Sequence, residues 1–419
     1  MAGGLTENLE QAQEYIEDCV HCGFCLDACP TYSLWATEAD SPRGRIVLIS
    51  QAVESGGEIS AEAARHIDSC LGCMGCVTAC PSGVRYDKLL ELARPQVEHR
   101  HDRSGGDRAL RRLVFETLPH PRRLRALVPL LSAAHRVGAH RLAPGRLGAM
   151  VQVAPKPPAP ADRRMSIPER TAPVGPSRGR VGLLLGCVQR VFYPQVHRAT
   201  IGALAAEGYE VLAPPAPDCC GALELHSGEQ GAALKRAQAT IESFAGLGPL
   251  EHVITNSAGC GSAMKEYGDL LGTPLAREFS ARVRDVCEVL GGEPPRAPRG
   301  PLEIRVAYHD ACHLRHAQGV REPPREMLRA IPGLELVELP GADDMCCGSA
   351  GIYNLVAPEP AAQLGRRKAE LVLSTGAEVL AAANPGCVAQ IGHHLELLGH
   401  PRSIVHPVEL VWRSIQAAG

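Results

Sequence analysis

The sequence predicts a mixed architecture, in which an α-helical N-terminal domain is followed by two copies of an α/β unit with a parallel sheet. The first observation behind this prediction is a cysteine run that occurs twice within the first hundred residues. The second is a set of cysteine motifs that recurs at a nearly constant separation in the C-terminal half. The third is the alternation of apolar and helical segments in that half, which is typical of parallel sheets with crossover helices.

Two runs of the form C-x2-C-x2-C-x3-C-P lie near the N-terminus, beginning at Cys19 and Cys70. Bacterial-type ferredoxins have this spacing: three cysteines bind one 4Fe–4S cluster, and the fourth, before the proline, binds the other. On that rule the ligands of the first cluster are Cys19, Cys22, Cys25 and Cys80. The ligands of the second cluster are Cys29, Cys70, Cys73 and Cys76.

Zinc is the alternative occupant of these runs. Four-cysteine zinc sites normally pair one C-x2-C with a second, distant C-x2-C. Here the third and fourth cysteines stand in the same run as the first two. The spacing therefore favours two 4Fe–4S clusters and one-electron transfer over a structural zinc scaffold.

Helices are expected around the two runs, in an N-terminal ferredoxin-type domain that spans residues 1–98. Residues 7–18 can form a leading helix with Thr6 as its N-cap. Between the runs, residues 46–49 and 61–67 can form two helices that pack over the clusters. The domain is thus predicted to be helical throughout.

Residues 99–178 differ in composition from the segments on either side. From Arg100 to Arg146 there are many arginines and few acidic residues, and a proline-rich stretch then continues to Pro176. Such a stretch is typical of a semi-extended linker. The amphipathic part, residues 124–137, could cover the core, or it could dock on an acidic partner or an anionic membrane surface.

A tandem duplication occupies the remainder of the chain, as one repeat over 179–300 and a second over 301–419. The cysteines of the first repeat are Cys187, Cys219, Cys220 and Cys260. Those of the second repeat are Cys312, Cys346, Cys347 and Cys387. Equivalent cysteines are 125, 127, 127 and 127 residues apart, and each repeat contains one Cys-Cys-Gly. Matched offsets of this kind indicate duplication.

Apolar segments before these cysteines predict the strands of each repeat. In the first repeat they are residues 180–185, 209–212 and 252–255, and in the second they are residues 304–308, 334–339 and 378–381. Helical patterns such as 199–207 and 233–244 lie between them. Each cysteine motif therefore follows the carboxyl end of a strand, where ligands bind in open α/β folds. Convergence of four thiols there, twice, predicts further clusters, while burial as small apolar side chains is the alternative.

Some side chains outside the motifs are further candidates. Arg43 and Arg45 could donate hydrogen bonds near a cluster or form a salt bridge at a helix start. Three histidines have helical spacing and could face one metal, although such residues more often bond to backbone or carboxylate groups. They are His309, His313 and His316. Cys287, in the segment 279–290 with a helical pattern, is expected to be a buried structural residue.

The order of these domains resembles a known family. The Cys-Cys-Gly duplication is similar to the cysteine-rich domains of heterodisulfide reductases, and the whole arrangement resembles the iron–sulfur subunits of glycolate oxidases. Strings that carry the narrower resemblance are Ser41-Pro-Arg-Gly-Arg-Ile46, Cys80-Pro-Ser-Gly-Val-Arg-Tyr86 and Cys346-Cys-Gly-Ser-Ala-Gly351. The resemblance implies an electron-transfer subunit of an oxidoreductase. A partner FAD subunit would oxidise glycolate to glyoxylate, and electrons would pass towards a quinone or another acceptor.

One departure from the resemblance leaves alternatives open. In heterodisulfide reductases each repeat ends in C-x-x-C, whereas here Cys260 is followed by Gly-Ser-Ala and Cys387 by Val-Ala-Gln. The sequence therefore allows no further cluster, one or two in the repeats. A thiol–disulfide reductase that uses the Cys-Cys-Gly sites stays open as an alternative function. So does a relay for lactate or another 2-hydroxy acid, because specificity would reside on the flavoprotein.

Other features narrow the class of protein. No G-x-G-x-x-G follows a strand and no G-x-x-x-x-G-K occurs, so we expect no flavin in this chain and no catalytic residue for hydride transfer. No run of 18 apolar residues and no signal-peptide pattern is present. We therefore expect a cytoplasmic chain with no transmembrane segment, able to lie at the inner face of the membrane. The net charge of −3 and the lack of a basic face with interleaved aromatics give no indication of nucleic-acid binding.

Overall fold

The computed structural model describes residues 8–138, 148, 151–159, 162, 166–341 and 345–419. It confirms the predicted fold class: a helical N-terminal region precedes two α/β units with parallel sheets. Helix α1 spans Leu9–Glu17, close to the predicted leading helix, with Asn8 at its N-cap. The predicted cap, Thr6, lies outside the described residues.

Helices pack around the two N-terminal cysteine runs. After α1 they are α2 (Pro30–Trp35), a 3-10 turn (Glu38–Asp40), α3 (Pro42–Glu54), α4 (Ala61–Asp68), α5 (Gly75–Thr78) and α6 (Tyr86–Arg100). The start of α3 is set by Pro42 at its first position and by Ser41, whose side chain accepts a hydrogen bond from the Gly44 amide. Apolar side chains of α3, α4 and α6, such as Ile49 and Leu89, form one core. This core supports the loops of both runs.

Two helices of the arginine-rich segment follow, α7 (Gly105–Thr117) and α8 (Pro121–Arg136). Leu124 of α8 belongs to a buried apolar cluster with Val191 and Phe192 of the first α/β unit. Helix α8 thus covers the core, which is the first of the two interpretations of this segment.

The first α/β unit contains a five-stranded sheet in the order β1-β3-β2-β4-β5. Its strands are β1 (Arg170–Thr171), β2 (Gly179–Leu183), β3 (Tyr209–Leu212), β4 (His252–Thr255) and β5 (Val283–Asp285). All neighbouring pairs are parallel except β1, which pairs antiparallel to β3 with Thr171 opposite Val211. Strand β1 lies within the segment predicted as a linker, so part of that segment belongs to the sheet.

The helices of the first unit are α9 (Val188–Phe192), α10 (Pro194–Ala206), α11 (Ala222–Ser227), α12 (Gln230–Ala245), α13 (Ala258–Lys265), α14 (Tyr267–Leu271), α15 (Pro274–Arg282) and α16 (Val286–Gly291). The helix predicted over 279–290 is wrong, because β5 interrupts it. Asp285 accepts a hydrogen bond from the Cys287 amide at 2.9 Å and so begins a new helix as its N-cap. Cys287 is fully buried, as expected.

The second α/β unit repeats the strand order of the first, and its described residues contain no equivalent of β1. Its parallel sheet has the order β7-β6-β8-β9. The strands are β6 (Ile304–His309), β7 (Leu334–Glu338), β8 (Val379–Ala382) and β9 (Ser403–Val405). The helices are α17 (Glu322–Arg329), α18 (Tyr353–Val356), α19 (Pro358–Ser374), α20 (Pro385–Leu397) and α21 (Pro407–Ala418), with a π-helical turn at His313–Ala317.

The two α/β units share one apolar core. Val181 of the first unit and Val306 of the second belong to the same buried cluster. Helix α10 packs against α21 at Gly202, where a Cβ would lie 2.7 Å from the Trp412 ring. This close approach of two helices, which a larger side chain would obstruct, joins the two units as neighbours.

Candidate metal centres

The eight cysteines of the two N-terminal runs line two cavities. One cavity is lined by Cys19, Cys22, Cys25 and Cys80. The other is lined by Cys29, Cys70, Cys73 and Cys76. Cys76 reaches both cavities, so they are adjacent. The structure therefore brings together the two sets that the crossed ligand rule of ferredoxins predicts, with the last cysteine of each run on the other cavity.

Gly23 lines the first cavity and Gly72 the second, and the thiols on each cavity form a donor set that fits a 4Fe–4S cluster. Gly23 and Gly72 have φ values of +90° and +63°, which side chains rarely adopt. A Cβ at Gly72 would also lie 3.1 Å from Nη1 of Arg94. The glycines therefore let the loops turn tightly.

Arg45 is 1% exposed and lies beside the second cavity. Its guanidinium Nη1 is 4.0 Å from Sγ of Cys29. It also donates hydrogen bonds to Oγ1 of Thr31 at 3.1 Å and Oγ of Ser69 at 2.8 Å. An ion pair with Asp40, at 3.4 Å, balances its charge. Arg45 thus matches both sequence interpretations, since it contacts a cysteine and forms a salt bridge.

Arg43 differs from Arg45 in exposure and in partners. It pairs with Glu38 at 2.5 Å and donates a hydrogen bond to the His21 carbonyl at 3.1 Å. The ion pair spans the start of α3, so Arg43 fits the helix-start salt bridge, and its second bond fixes the loop of the first run.

The positive charges of two arginines, Arg45 and Arg94, act on the thiol of Cys70. Burial would raise the pKa of its thiol, but the charges of Arg45 and Arg94, with further hydrogen bonds, lower it below its usual value. A lower pKa favours the thiolate, which is the form that binds metal. Arg94, which sequence reasoning missed, also donates hydrogen bonds to the carbonyls of Cys70 and His226, at 2.7 and 2.5 Å. It therefore joins the second run to the first α/β unit.

The four cysteines of the first repeat meet at the carboxyl edge of its sheet. Their thiols are close enough to shift one another's pKa, in the order Cys187, Cys219, Cys220 and Cys260. The thiols of Cys187 and Cys220 lower the pKa of Cys219 well below its usual value. The Gly221 amide donates a hydrogen bond to Sγ of Cys219 at 3.4 Å. Its φ of +82° explains the glycine of the Cys-Cys-Gly motif.

The second repeat shows the same convergence. Its thiols are linked in the order Cys312, Cys346, Cys347 and Cys387. The Sγ atoms of Cys347 and Cys387 are 3.3 Å apart. Gly348 again has a positive φ, +87°, and a Cβ there would lie 2.6 Å from the Ala361 carbonyl oxygen. The duplicated motif thus has the same backbone role in both repeats.

The three candidate histidines do not face one metal, so that possibility is wrong. His309 lies beside Cys347 and Cys387, and the three ligand atoms are within 4.8 Å of one another. Burial, and then the charge of Lys368, lowers the pKa of His309 to about 3. Nδ1 of His313 is instead 3.5 Å from Sγ of Cys312. The helical spacing misled because His309 ends strand β6, whereas the other two belong to the following π-helical turn.

His316 contacts the N-terminal domain rather than a metal site. Its Nδ1 is 2.7 Å from Oγ1 of Thr78. Thr78 is the last residue of α5, the short helix that also contains Cys76 of the second cavity. This bond is one of the contacts that fix the second run against the second repeat.

The second cavity and the second repeat share an apolar cluster. Cys73 lies in it with Leu71, and the second repeat contributes Cys346, Tyr353 and Leu364 among others. Burial raises the pKa of the Cys73 thiol, and the next cause is the negative charge of Cys312. Thiols of two predicted metal sites are therefore neighbours across the boundary of the two domains, which neither motif predicted.

Among the described residues, no helix is long and apolar enough to cross a membrane.

Comparison with known proteins gives three family matches. A family described as "4Fe-4S dicluster domain" matches residues 15–84, and one described as "Cysteine-rich domain" matches residues 181–265 and 306–392. A third, described as "Glycolate oxidase iron-sulfur subunit, linker region", matches residues 106–155. The first of these matches indicates 4Fe–4S clusters in residues 15–84.

Curated relatives cover nearly the whole chain. It is 35% identical to the probable glycolate oxidase iron–sulfur subunit of Bacillus subtilis, over 96% of this chain and 94% of the relative. It is 34% identical to the glycolate oxidase iron–sulfur subunit of Escherichia coli, over 98% of each chain. Lactate utilization protein A 1 of Bacillus mycoides is 30% identical, over 55% of this chain and 96% of that protein.

Proposed function

The chain belongs to the family of glycolate oxidase iron–sulfur subunits, and from this premise we propose that it is an electron relay. A partner FAD subunit oxidises glycolate to glyoxylate, and this chain passes the electrons from that subunit to a quinone or another acceptor. As a member of this family it is an iron–sulfur electron-transfer subunit of a hydroxy-acid oxidase complex. The flavin, the glycolate and the final acceptor belong to the proposal.

The ligand sets of the N-terminal domain are proposed from the two cavities. Cys19, Cys22, Cys25 and Cys80 hold the first 4Fe–4S cluster. Cys29, Cys70, Cys73 and Cys76 hold the second. When bound, such clusters exchange one electron at a time, whereas a flavin can release two. The residues of this chain position the thiols, exclude water and set the local charge, as Arg45 does at Cys29.

The observation that carries the proposal is the shared apolar cluster of Cys73 and Cys346. It places a cysteine of the second cavity directly beside the thiols of the second repeat. Neighbouring thiol sites therefore extend from the N-terminal domain into the second α/β unit. The proposed domain bounds are 1–98, 99–178, 179–300 and 301–419, with strand β1 of the second segment joining the sheet of the third.

The first run is the proposed face for the flavoprotein. Cys22 is exposed there, while the cysteines of the second cavity are buried or half-buried. Val20 and Phe24, on either side of Cys22, are 68% and 66% exposed although both are apolar. Exposed apolar side chains next to an exposed cluster ligand fit a partner that must approach the first cluster closely.

Burial of the Cys-Cys pair in each repeat favours a relay over a thiol–disulfide reductase, although Cys187, Cys260 and Cys312 are half-buried. Cys219, Cys220, Cys346 and Cys347 are each 2% exposed. Thiol–disulfide exchange requires attack by an accessible thiolate.

Glycolate is preferred over lactate because the relatives named for glycolate oxidase match the full length, whereas the one named for lactate utilization matches about half of this chain. We place the complex in the cytoplasm, at the inner face of the membrane that would hold a quinone.

The test mixes the purified chain with its flavoprotein partner and glycolate under anaerobic conditions. We expect the visible iron–sulfur absorbance to bleach with both partner and glycolate present, and not with glycolate and this chain alone. Phe24→Glu should slow bleaching at limiting flavoprotein roughly 5- to 30-fold, as expected for an interface residue worth about 1–2 kcal/mol. Leu397→Glu is the matched control, since Leu397 is 68% exposed but lies at the end of α20.

Bleaching by glycolate without the flavoprotein would contradict the division of labour. Equal slowing by Phe24→Glu and Leu397→Glu would contradict the assigned docking face. Faster bleaching with lactate than with glycolate would replace the proposed substrate.

A further inference from the structure

We propose that His309 is a nitrogen ligand of the iron–sulfur group in the second repeat, so that this site is a mixed imidazole–thiolate site while the first repeat uses thiolates alone. The inference rests on the proposed function only in requiring that the second repeat holds such a group. The imidazole takes the place of one of the four thiolates, so the site has one ligand from outside the cysteine motifs.

Position brings His309 to the thiols. It is the last residue of β6, and it stands opposite Ala382, the last residue of β8. Cys387 lies five residues beyond that point, in the first turn of α20. Cys347 lies in the segment after β7, the strand on the other side of β6. Three neighbouring strands thus direct one imidazole and two thiols to the same edge of the sheet.

The distances suit metal binding. The ligand atoms of His309, Cys347 and Cys387 are all within 4.8 Å of one another, and all three residues are buried. Donor atoms on one tetrahedral metal ion, at bond lengths of about 2.0–2.3 Å, are roughly 3–4 Å apart. Small side-chain movements would therefore bring the imidazole and a thiolate onto the same iron.

His309 has no hydrogen-bond partner among the described residues, at either Nδ1 or Nε2. The side chain is 1% exposed. A buried polar group without a partner costs about 1–3 kcal/mol, so an imidazole in this state needs a compensating bond. Coordination of a metal by one ring nitrogen would supply that bond.

The first repeat provides an internal comparison. Three residues before its first cysteine, where the second repeat has His309, it has Leu184. Leu184 is buried and packs in an apolar cluster that includes Cys220. The two copies of the duplication therefore differ at a position that faces their thiols, and only the second can offer nitrogen there.

A neutral imidazole in place of a thiolate makes an iron site less negative. The same exchange raises the reduction potential of Rieske centres above that of all-cysteine ferredoxins. The second repeat would then attract electrons from the all-thiolate site at Cys73, its neighbour in the apolar cluster. His309 would thereby favour transfer out of the N-terminal domain.

The test uses the full-length chain with its clusters, labelled with 15N-histidine. We expect pulsed electron paramagnetic resonance of the reduced protein to show a strong histidine-nitrogen coupling. His309→Leu, which copies the first repeat, should abolish this coupling and lower the iron content while the signals of the N-terminal clusters remain. His309→Cys should restore the iron content, without the coupling, and shift the potential of this site to lower values.

His394→Leu is the matched control, because His394 is a buried histidine of the same unit that bonds to Gln390 rather than lying at the thiols. It should keep the coupling. Wild-type protein without a histidine-nitrogen coupling, a second repeat filled by zinc, or an unchanged coupling in His309→Leu would each overturn the assignment. This measurement needs no flavoprotein, so it tests the His309 assignment independently of the relay. The relay proposal is contradicted by a different result, in which glycolate and the flavoprotein do not reduce the chain.

Discussion

Replacement of Arg45 by methionine tests whether a buried guanidinium sets the reduction potential of the cluster proposed for the second cavity. Methionine keeps an unbranched apolar side chain in the core and removes the charge that lies 4.0 Å from Sγ of Cys29. Reduction adds negative charge to the site, and a nearby positive charge stabilises that state. The variant should therefore have a lower reduction potential than the wild type.

The size of the shift follows from Coulomb's law. Two unit charges 4 Å apart interact by about 4 kcal/mol at an effective dielectric constant near 20. The added electron spreads over the group, so we take between a quarter and all of that energy, about 1–4 kcal/mol. For a one-electron couple, in which 59 mV corresponds to a tenfold change in equilibrium constant, this is about 40–180 mV.

The assay is a redox titration followed by electron paramagnetic resonance, with iron content measured in parallel. The site should stay folded, because Asp40 keeps its bonds to Nδ1 of His66 and Oγ of Ser69, both at 2.8 Å. Arg45→Lys, which retains the charge, should show a smaller shift. Arg43→Met removes a more exposed arginine of the same helix, and water should screen most of its effect. An unchanged or higher potential in Arg45→Met, with full iron content, would refute the reasoning.

Two further predictions concern stability. Gly202→Ala should lower the melting temperature, since its Cβ would lie 2.7 Å from the Trp412 ring and overpacking costs about 1–3 kcal/mol. The control, Gly231→Ala, places a Cβ on α12 where no atom lies nearby, and it should raise the melting temperature. Equal shifts in the two variants would contradict the packing argument. Burial, and then the charge of His197, lowers the pKa of His406 to about 3. Below pH 6.5 this histidine is therefore protonated in the unfolded chain but stays neutral in the folded chain, so the free energy of unfolding falls as the pH falls. His406→Asn keeps an N-cap acceptor for α21. It should reduce the loss of unfolding free energy between pH 6.5 and 5 by about 1.6 kcal/mol in total, measured by denaturant titration at both pH values. Equal losses in the variant and the wild type would count against it.

Local sequence predicted much of the fold, and its errors have local physical causes. The strands at 209–212 and 252–255 occur as predicted, because short apolar runs between turns and helices have few alternatives. The helix over 279–290 failed because the Asp285 side chain caps a new helix instead of letting the old one continue. Strand β1 was missed because two residues, Arg170 and Thr171, have no periodicity to detect.

By itself, the sequence determined the ligand inventory: two four-cysteine runs and a duplicated Cys-Cys-Gly unit at the ends of parallel strands. This was possible because thiolate spacing within a loop and the position of a loop after a strand are both local properties of the chain. The contact between Cys73 and Cys346, and the meeting of His309 with Cys347 and Cys387, were decided only by the tertiary structure. They depend on the docking of separate domains and on the order of strands in a sheet, which bring together residues that no local pattern relates. The sequence therefore specifies which groups can hold metal, and the fold specifies which of these sites are neighbours.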